Sequence, residues 1–275
     1  MSAPTITLND GHELPAIGLG TYPMDDREAA SAVRGAIETG YRLIDTAAKY
    51  GNEAGVGEGI ATSEVPREEI VLTTKLRGYD QGYESTLRAF AESRERLGVE
   101  YVDLFLIHWP LPRIEKYVDS WRAMIMLRDD GLVRSIGVSN FTADHLDRIV
   151  TETGVEPAVN QIELHPYFAQ TAMRAADAER GVVTQAWSPL GRKTDLLADP
   201  TVDAIAQQHG VTPAQVVLRW HVQRGTIPIP KSSDPQRQAQ NLDVFSFRLS
   251  ESEMAQIGDR PQARVGGDPD EHEEF

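Results

Sequence analysis

Eight short apolar, β-branched runs alternate with helix-like stretches along the chain, which predicts an α/β protein folded as a closed (β/α)8 TIM barrel. Three observations carry that prediction. The runs are continuously apolar rather than alternating, which suits strands buried on both faces of a parallel sheet. No linker rich in Gly, Pro or Ser divides the 275 residues, a length normal for one barrel. Several runs also stop at an ionisable or phenolic group, and the carboxyl ends of barrel strands are where active sites are built.

Residues 5–15 stand apart from the alternation and read as a hairpin. Asp10-Gly11 occupies its turn, where glycine accepts the positive φ of a tight hairpin. This hairpin is expected to plug the amino-terminal end of the barrel. Residues 17–21 form the first barrel strand and precede a helix over 26–39. The strand 43–46 precedes a helical stretch beginning near residue 52, and 71–76 precedes 85–97. Then 102–109 precedes 118–129, 135–139 precedes 143–152, and 158–164 precedes 172–180. Strands over 182–188 and 226–230 complete the eight, each followed by a helix. Two additional helices are expected. One spans 201–209; the other follows Leu249, where Ser250-Glu251-Ser252-Glu253 offers a capping box. The whole chain is expected to be a single barrel domain, 1–275, with residues from about 260 to 275 as a tail of little secondary-structure signal.

Composition narrows the function. The hydrophobic fraction is 40% and the charged fraction 25%, as expected of a soluble packed domain. No stretch comes near the ~20 apolar residues of a membrane span. Met1-Ser2-Ala3-Pro4-Thr5 lacks the regions of a signal peptide. The chain has no cysteine, which excludes disulfides, thiol catalysis and thiolate metal sites and makes a cytoplasmic location the simplest reading. The net charge of -15 argues against nucleic acid and anionic membrane as partners. Part of it lies in the tail, at Asp268, Asp270, Glu271, Glu273 and Glu274, which reads as a solvated terminus rather than a metal site with His272.

Four strand ends carry the candidate chemistry: Leu43-Ile44-Asp45-Thr46-Ala47-Ala48-Lys49-Tyr50, Val71-Leu72-Thr73-Thr74-Lys75, Phe105-Leu106-Ile107-His108-Trp109-Pro110 and Ile136-Gly137-Val138-Ser139-Asn140. A carbonyl that accepts hydride develops negative charge on oxygen, and a positioned acid must neutralise it. Tyr50 suits that task, although a phenol has an ordinary pKa of about 10. Lys75 is the ammonium expected to lower it, Asp45 the carboxylate that keeps Lys75 charged, and His108 the ring that orients the carbonyl oxygen or assists protonation. Taken singly, each of these residues has an ordinary structural explanation; their joint placement favours catalysis. Tyr22, Arg77 and Trp109 are the expected substrate-pocket residues, with Arg77 placed either to receive a substrate carboxylate or, as an ordinary surface residue, to fold onto the acidic surface.

Seven motifs, in order, resemble the aldo-keto reductase superfamily: Gly40-Tyr41-Arg42-Leu43-Ile44-Asp45-Thr46-Ala47, Tyr50-Gly51-Asn52-Glu53, Thr74-Lys75, Ile107-His108-Trp109-Pro110, Gly137-Val138-Ser139-Asn140-Phe141, Asn160-Gln161-Ile162-Glu163-Leu164-His165-Pro166 and Pro230-Lys231-Ser232. Trp187-Ser188-Pro189-Leu190-Gly191 and the tail residues Arg264-Val265 and Asp268-Pro269-Asp270-Glu271 most resemble the bacterial 2,5-diketo-D-gluconate reductase group. The resemblance implies the same tetrad, Tyr50, Lys75, Asp45 and His108, and an NADPH-dependent reduction of aldehydes and ketones, with keto sugars, keto acids and α-dicarbonyls as candidate substrates. It implies a monomer acting on a small molecule. The alternative is a redox-sensing NADPH-binding regulatory subunit with slow turnover, against which the intact tetrad argues.

A hydride must come from a nicotinamide or flavin, because no side chain supplies one. Gly55-Val56-Gly57-Glu58-Gly59 lies in a predicted helix and is no dinucleotide fingerprint. The resemblance implies instead that Ser139, Asn140 and Gln161 hold the carboxamide and that Trp187 stacks on the nicotinamide. It further implies that Ser188, Leu190 and Gly191 hold the pyrophosphate, Lys231, Ser232, Ser233 and Arg237 the adenosine phosphate, and Gln240 and Asn241 the adenine. Gln240 departs from the Glu of many relatives, and Arg77 from their Trp. No metal site is expected among the seven histidines.

Overall fold

The computed structural model describes residues 3–258, 260 and 262–274, so Met1 and Ser2 of the N-terminal reading lie outside the described residues. The hairpin is present as β1 (Thr5–Thr7) and β2 (Glu13–Pro15), with Ile6 opposite Leu14. Gly11 sits in its turn at φ 88°. Leu8 and Leu14 share one buried cluster with Leu43, Leu104, Val159 and Ile227, which stand in the first half of their barrel strands. The hairpin therefore closes the amino-terminal end, as its apolar residues require.

The barrel follows as β3 (Leu19–Gly20), α1 (Asp26–Thr39), β4 (Leu43–Asp45), α2 (Glu53–Ala61), β5 (Val71–Leu76), α3 (Tyr83–Leu97), β6 (Val102–Ile107) and α4 (Tyr117–Asp129). It continues with β7 (Val133–Ser139), α5 (Ala143–Thr153), β8 (Val159–Glu163), α6 (Thr171–Glu179), β9 (Val183–Trp187), α7 (Pro200–His209), α8 (Pro213–Gln223), β10 (Ile227–Pro228), α9 (Pro235–Leu242) and α10 (Glu251–Gly258). All pairings from β3 to β10 are parallel and in chain order. The seam closes where Gly18 N–H donates to Pro228 O at 3.1 Å, Gly20 N–H donates to Pro230 O at 3.0 Å, and Gly20 bridges Lys231.

The seam explains the largest difference from the expected strands. Pro228 and Pro230 have no N–H, so they accept across the seam but cannot donate, and β10 shrinks to two residues. The chains approach closely here: a Cβ at Gly18 would stand 2.7 Å from Leu43 and 2.9 Å from Ile229. Helix ends follow local chemistry. The capping box expected after Leu249 forms, with Ser250 N–H donating to Glu253 Oε2 at 2.7 Å and Glu253 N–H to Ser250 Oγ at 3.2 Å. A second box, Thr212 with Gln215, starts α8, whose limits the sequence reading did not mark. The apolar faces of α1 to α5 cover the outer faces of β4 to β7 in one continuous cluster.

One buried carboxylate ties α6 to the sheet. Asp177 accepts from Asn160 Nδ2 at 3.1 Å and from Thr184 Oγ1 at 2.7 Å. Burial pushes its carboxyl up to about 6, although both hydrogen bonds favour the charged form. A folded value above the unfolded one means that the native state holds the extra proton between about pH 4 and pH 6. Asp177 therefore stabilises least above pH 6. Asp177→Asn removes this titration, so its stability relative to wild type should rise by about 2–3 kcal/mol between pH 4 and pH 7. Urea midpoints at the two pH values check this; a difference independent of pH contradicts it.

Candidate active site

The site is assembled at the carboxyl ends of β4, β5 and β6. Asp45 ends β4, and the following loop is pinned from within. Thr46 Oγ1 donates to Asn52 Oδ1 at 2.8 Å, while Asn52 Nδ2 donates to Thr21 O and Met24 O at 3.1 and 3.0 Å. Beside it, Glu53 accepts from Thr74 Oγ1 at 2.6 Å and from Arg96 Nε at 2.8 Å. Between these anchors a single 3-10 turn presents Tyr50, with Gly51 at φ 69° ending it. The phenol is thus placed by buried polar groups that satisfy one another.

Lys75 lies on β5 and is fully buried. Its ammonium donates to Asp45 Oδ1 at 2.5 Å, to Thr46 O at 3.0 Å and to Tyr50 Oη at 3.4 Å. All three of its protons are thereby used. Asp45 Oδ2 accepts from Gln161 Nε2 on β8 at 2.7 Å, and Gln161 Nε2 also donates to Gln185 Oε1 at 2.9 Å. Burial pulls the Lys75 ammonium down, but the Asp45 carboxylate and the phenol outweigh it and hold the group above its ordinary range.

Burial also pushes the Tyr50 hydroxyl up; Lys75 pulls it down, and Asp45 adds to the rise. The net direction is upward. This corrects the expectation that Lys75 leaves the phenol below its ordinary value: its charge acts as expected, but desolvation is larger. A phenol held in the neutral form has a proton to give. His108 follows β6 with its ring 5.7 Å from that of Tyr50 and nearly perpendicular to it. Its backbone is held on both sides, with N–H donating to Leu76 O at 3.1 Å and O accepting from Asn140 Nδ2 at 3.0 Å. The four candidate catalytic residues therefore come together.

The candidate pocket residues behave differently from one another. Tyr22 is exposed, 5.1 Å from the Tyr50 ring, with the Arg192 guanidinium over its face. Trp109 is buried under the His272 ring at 4.0 Å. Arg77 lies just beyond β5 and donates through Nε to Asp80 Oδ2 at 2.5 Å, so this edge of the guanidinium is already used. The pairing takes one of the five N–H donors of the guanidinium.

Of the candidate nucleotide residues, Ser139, Asn140, Gln161 and Trp187 form one layer beside the tetrad. Ser139 Oγ donates to Gln161 O at 2.8 Å, and Trp187 Nε1 donates to Asn140 Oδ1 at 2.7 Å. Beyond Trp187 the chain turns through Ser188 at φ 49° and Gly191 at φ 65°, with Gly191 N–H donating to Ser188 O at 3.0 Å. Leu190 packs inward against both main clusters. Across the seam, Lys231, Ser233 and Arg237 are exposed at the start of α9, Ser232 and Asn241 are buried, and Gln240 is half-buried. Lys231 Nζ donates to Glu28 Oε1 at 3.2 Å, whereas the Arg237 guanidinium has no partner among the described residues.

The tail is not wholly solvated, which corrects the sequence reading. Asp268, Asp270, Glu271 and Glu273 are exposed, but Glu274 is only 6% exposed. Val265 N–H and Gly266 N–H both donate to Glu163 at 2.7 Å, and Gly266 rests against the Trp187 ring. Burial pushes the Glu163 carboxyl up, but His165 and those two N–H groups prevail and hold it below its ordinary value. From there the tail crosses Trp109, and Glu274 Oε2 accepts from Gly78 N–H at 2.9 Å. Its Oε1 lies 2.6 Å from His108 Nδ1, out of hydrogen-bond alignment. Sequence reasoning missed Glu274 and His272 because an acidic run without periodicity gives no sign of where it folds. It also assigned no role to Asn52 and Glu53, although both stand in a motif it quoted. No cluster of His, Asp and Glu suited to a metal occurs among the described residues.

The aldo/keto reductase family model matches residues 16–259. An aldo-keto reductase of Mycolicibacterium smegmatis is 53% identical over 268 residues, 97% of each chain. The 2,5-diketo-D-gluconic acid reductase B of Corynebacterium sp. is 49% identical over 273 residues, 99% of each chain. Among solved structures, a Gox0644 mutant in complex with NADPH is similar at a TM-score of 0.94 and 46% identity, covering 99% of this chain and 100% of that one.

Proposed function

We propose a function from one premise: the chain belongs to the aldo/keto reductase family, and so is an oxidoreductase that uses a nicotinamide cofactor. The reading is an NADPH-dependent reduction of aldehydes and ketones with Tyr50 as the general acid. The observation that carries it is the Lys75 ammonium held between Asp45 Oδ1 and Tyr50 Oη. A buried ion pair is poor evidence for stability in itself. Here it is aimed at a phenol kept neutral, the arrangement a proton donor needs.

The reading assigns each side chain one task. His108 orients the carbonyl oxygen towards Tyr50. Tyr50 Oη gives its proton to that oxygen, and Lys75 Nζ stabilises the phenolate left behind. Asp45 keeps Lys75 charged, and Gln161 satisfies the second Asp45 oxygen. When bound, the reduced nicotinamide supplies the hydride. The residues present fit such a cofactor. Trp187 offers a half-buried indole beside the tetrad, the Ser188 to Gly191 turn has backbone in the left-handed region, and Arg237, without a partner among the described residues, stands at a helix start. We take the protein to be monomeric and cytoplasmic; among the described residues no helix is long and apolar enough to cross a membrane.

The phosphate assignment makes a prediction of its own. Among the described residues Arg237 is exposed and unpaired in a protein of net charge -15, and Lys231 has an exposed pairing with Glu28, worth little in water. Charge-assisted hydrogen bonds contribute about 1.5–3 kcal/mol each, so NADPH should bind roughly tenfold or more tighter than NADH. Arg237→Ala should weaken NADPH and leave NADH nearly unchanged. Dissociation constants from quenching of tryptophan fluorescence check this; equal weakening of both nucleotides takes Arg237 away from the 2′-phosphate. A steady-state screen of neutral aldehydes, keto acids, keto sugars and α-dicarbonyls with both nucleotides tests the reaction class.

A further inference from the structure

We infer that Glu274 is a specificity-determining residue: its carboxylate turns away carbonyl substrates that carry a carboxylate beside the reacting carbon and favours neutral or cationic ones. The inference rests on the proposed reduction at Tyr50 and His108. It starts from where the tail is held. Glu163 fixes Val265 and Gly266 at one end, and Ala263 N–H donates to Tyr167 O at 2.7 Å just before them. At the other end, His272 packs on Trp109, Arg113 pairs with Glu273 at 2.8 Å, and Gly78 N–H donates to Glu274 at 2.9 Å. A segment fastened at both ends cannot carry its carboxylate far.

That carboxylate is at the reacting end of the site. Glu274 Oε1 lies 2.6 Å from His108 Nδ1, on the ring whose neighbour is Tyr50. A carbonyl oxygen presented to His108 and Tyr50 therefore stands within about one imidazole ring of Glu274. Two carboxylates in one desolvated space repel far more than they would in water, and one of them must gain a proton or leave. A 2-oxo acid brings its carboxylate on the atom next to the carbonyl, so rotation about that bond does not take it out of reach. Arg77 Nε donates to Asp80 and the Arg192 guanidinium lies over the Tyr22 ring, and neither is paired with Glu274 among the described residues. The backbone N–H of Gly78, which could receive an anion, is already taken by Glu274 itself. Rejection by an unpaired or like charge is a recognised way to set specificity without improving the preferred contact.

The test compares benzoylformate with methyl benzoylformate, which differ by one charge at the same carbon. The readout is the ratio of their kcat/KM values with NADPH, in wild type and in Glu274→Gln, Glu274→Ala and Glu274→Asp. Intrinsic reactivity cancels between variants. Glu274→Gln and Glu274→Ala should raise the acid-to-ester ratio by about tenfold or more. Glu274→Asp keeps the charge and should keep the ratio within about threefold of wild type. A smaller rise in the first two variants overturns the inference, as does a shift towards the ester or a wild type that prefers the acid, which would return the role to Arg77. A Glu274→Gln protein that binds NADPH but reduces neither compound also overturns it, because the carboxylate would then be needed for turnover. If wild type reduces no carbonyl at all, the proposed reduction fails and the inference with it; if wild type reduces the ester and the ratio does not move, the inference fails alone.

Discussion

Tyr50→Phe is expected to lower kcat for aldehyde reduction by about 10²–10⁴-fold while NADPH still binds. The ring remains, so its packing against Tyr22 and the His108 edge survives. Only the proton donor goes. Lys75 keeps two of its three acceptors, Asp45 Oδ1 and Thr46 O, so the ion pair does not collapse. The loss should fall on kcat more than on KM, because the proton is needed in the transition state rather than for binding. The pH dependence follows from the same geometry. Burial holds the phenol above its ordinary value, so the wild-type reduction rate should be insensitive to this group through neutral pH. It should fall only in alkaline solution, where the phenol gives up its proton before substrate arrives. Steady-state kinetics of both proteins from pH 6 to pH 11, with the nucleotide dissociation constant measured alongside, check the prediction. A mutant with near-wild-type kcat would remove Tyr50 from the mechanism.

Lys75→Met should be impaired at least as severely, and in stability as well. Proton donation would leave a phenolate beside the Asp45 carboxylate with no cation between them. The rate should fall by about 10²-fold or more. Asp45 would keep only the Gln161 amide, and a buried charge stripped of its partner costs roughly 3–5 kcal/mol. Asp45→Asn in the Lys75→Met background should recover part of the stability and none of the rate, since it removes the orphaned charge without restoring the ammonium. Urea unfolding and kcat measured on the single and double variants separate the two effects. Recovery of rate together with stability would show that Lys75 acts through folding alone.

How much of this was legible depended on whether a residue's role is local. Asp45, Lys75 and His108 announce themselves because each ends an apolar run, and parallel strands bring run ends together. The helix over residues 26–39 is bounded by an Asp25 cap and by Gly40, both short-range signals, and its limits agree with the structure. The last strand was drawn too long because its two prolines limit pairing in a way that apolar character does not reveal. The sign of the Tyr50 shift was misread for a related reason. A neighbouring charge is visible in a motif, but the burial that outweighs it belongs to the assembled barrel. Glu274 was the least legible residue. Its partners, Gly78 and His108, are far away in the chain, and an acidic terminus looks the same in sequence whether it is solvated or folded back.

The central claim is that this chain transfers a hydride to a carbonyl carbon while Tyr50 protonates the oxygen. The most direct measurement supplies NADPH deuterated at both hydrogens of nicotinamide C4, with methyl benzoylformate in ordinary water. The alcohol is then analysed by mass spectrometry for wild type and Tyr50→Phe. The account predicts one deuterium on the carbinol carbon for each NADPH consumed. In the variant the labelling should be the same, but formed about 10²–10⁴-fold more slowly. Tightly bound NADPH with no labelled alcohol from wild type, or equal rates from the two proteins, would contradict it.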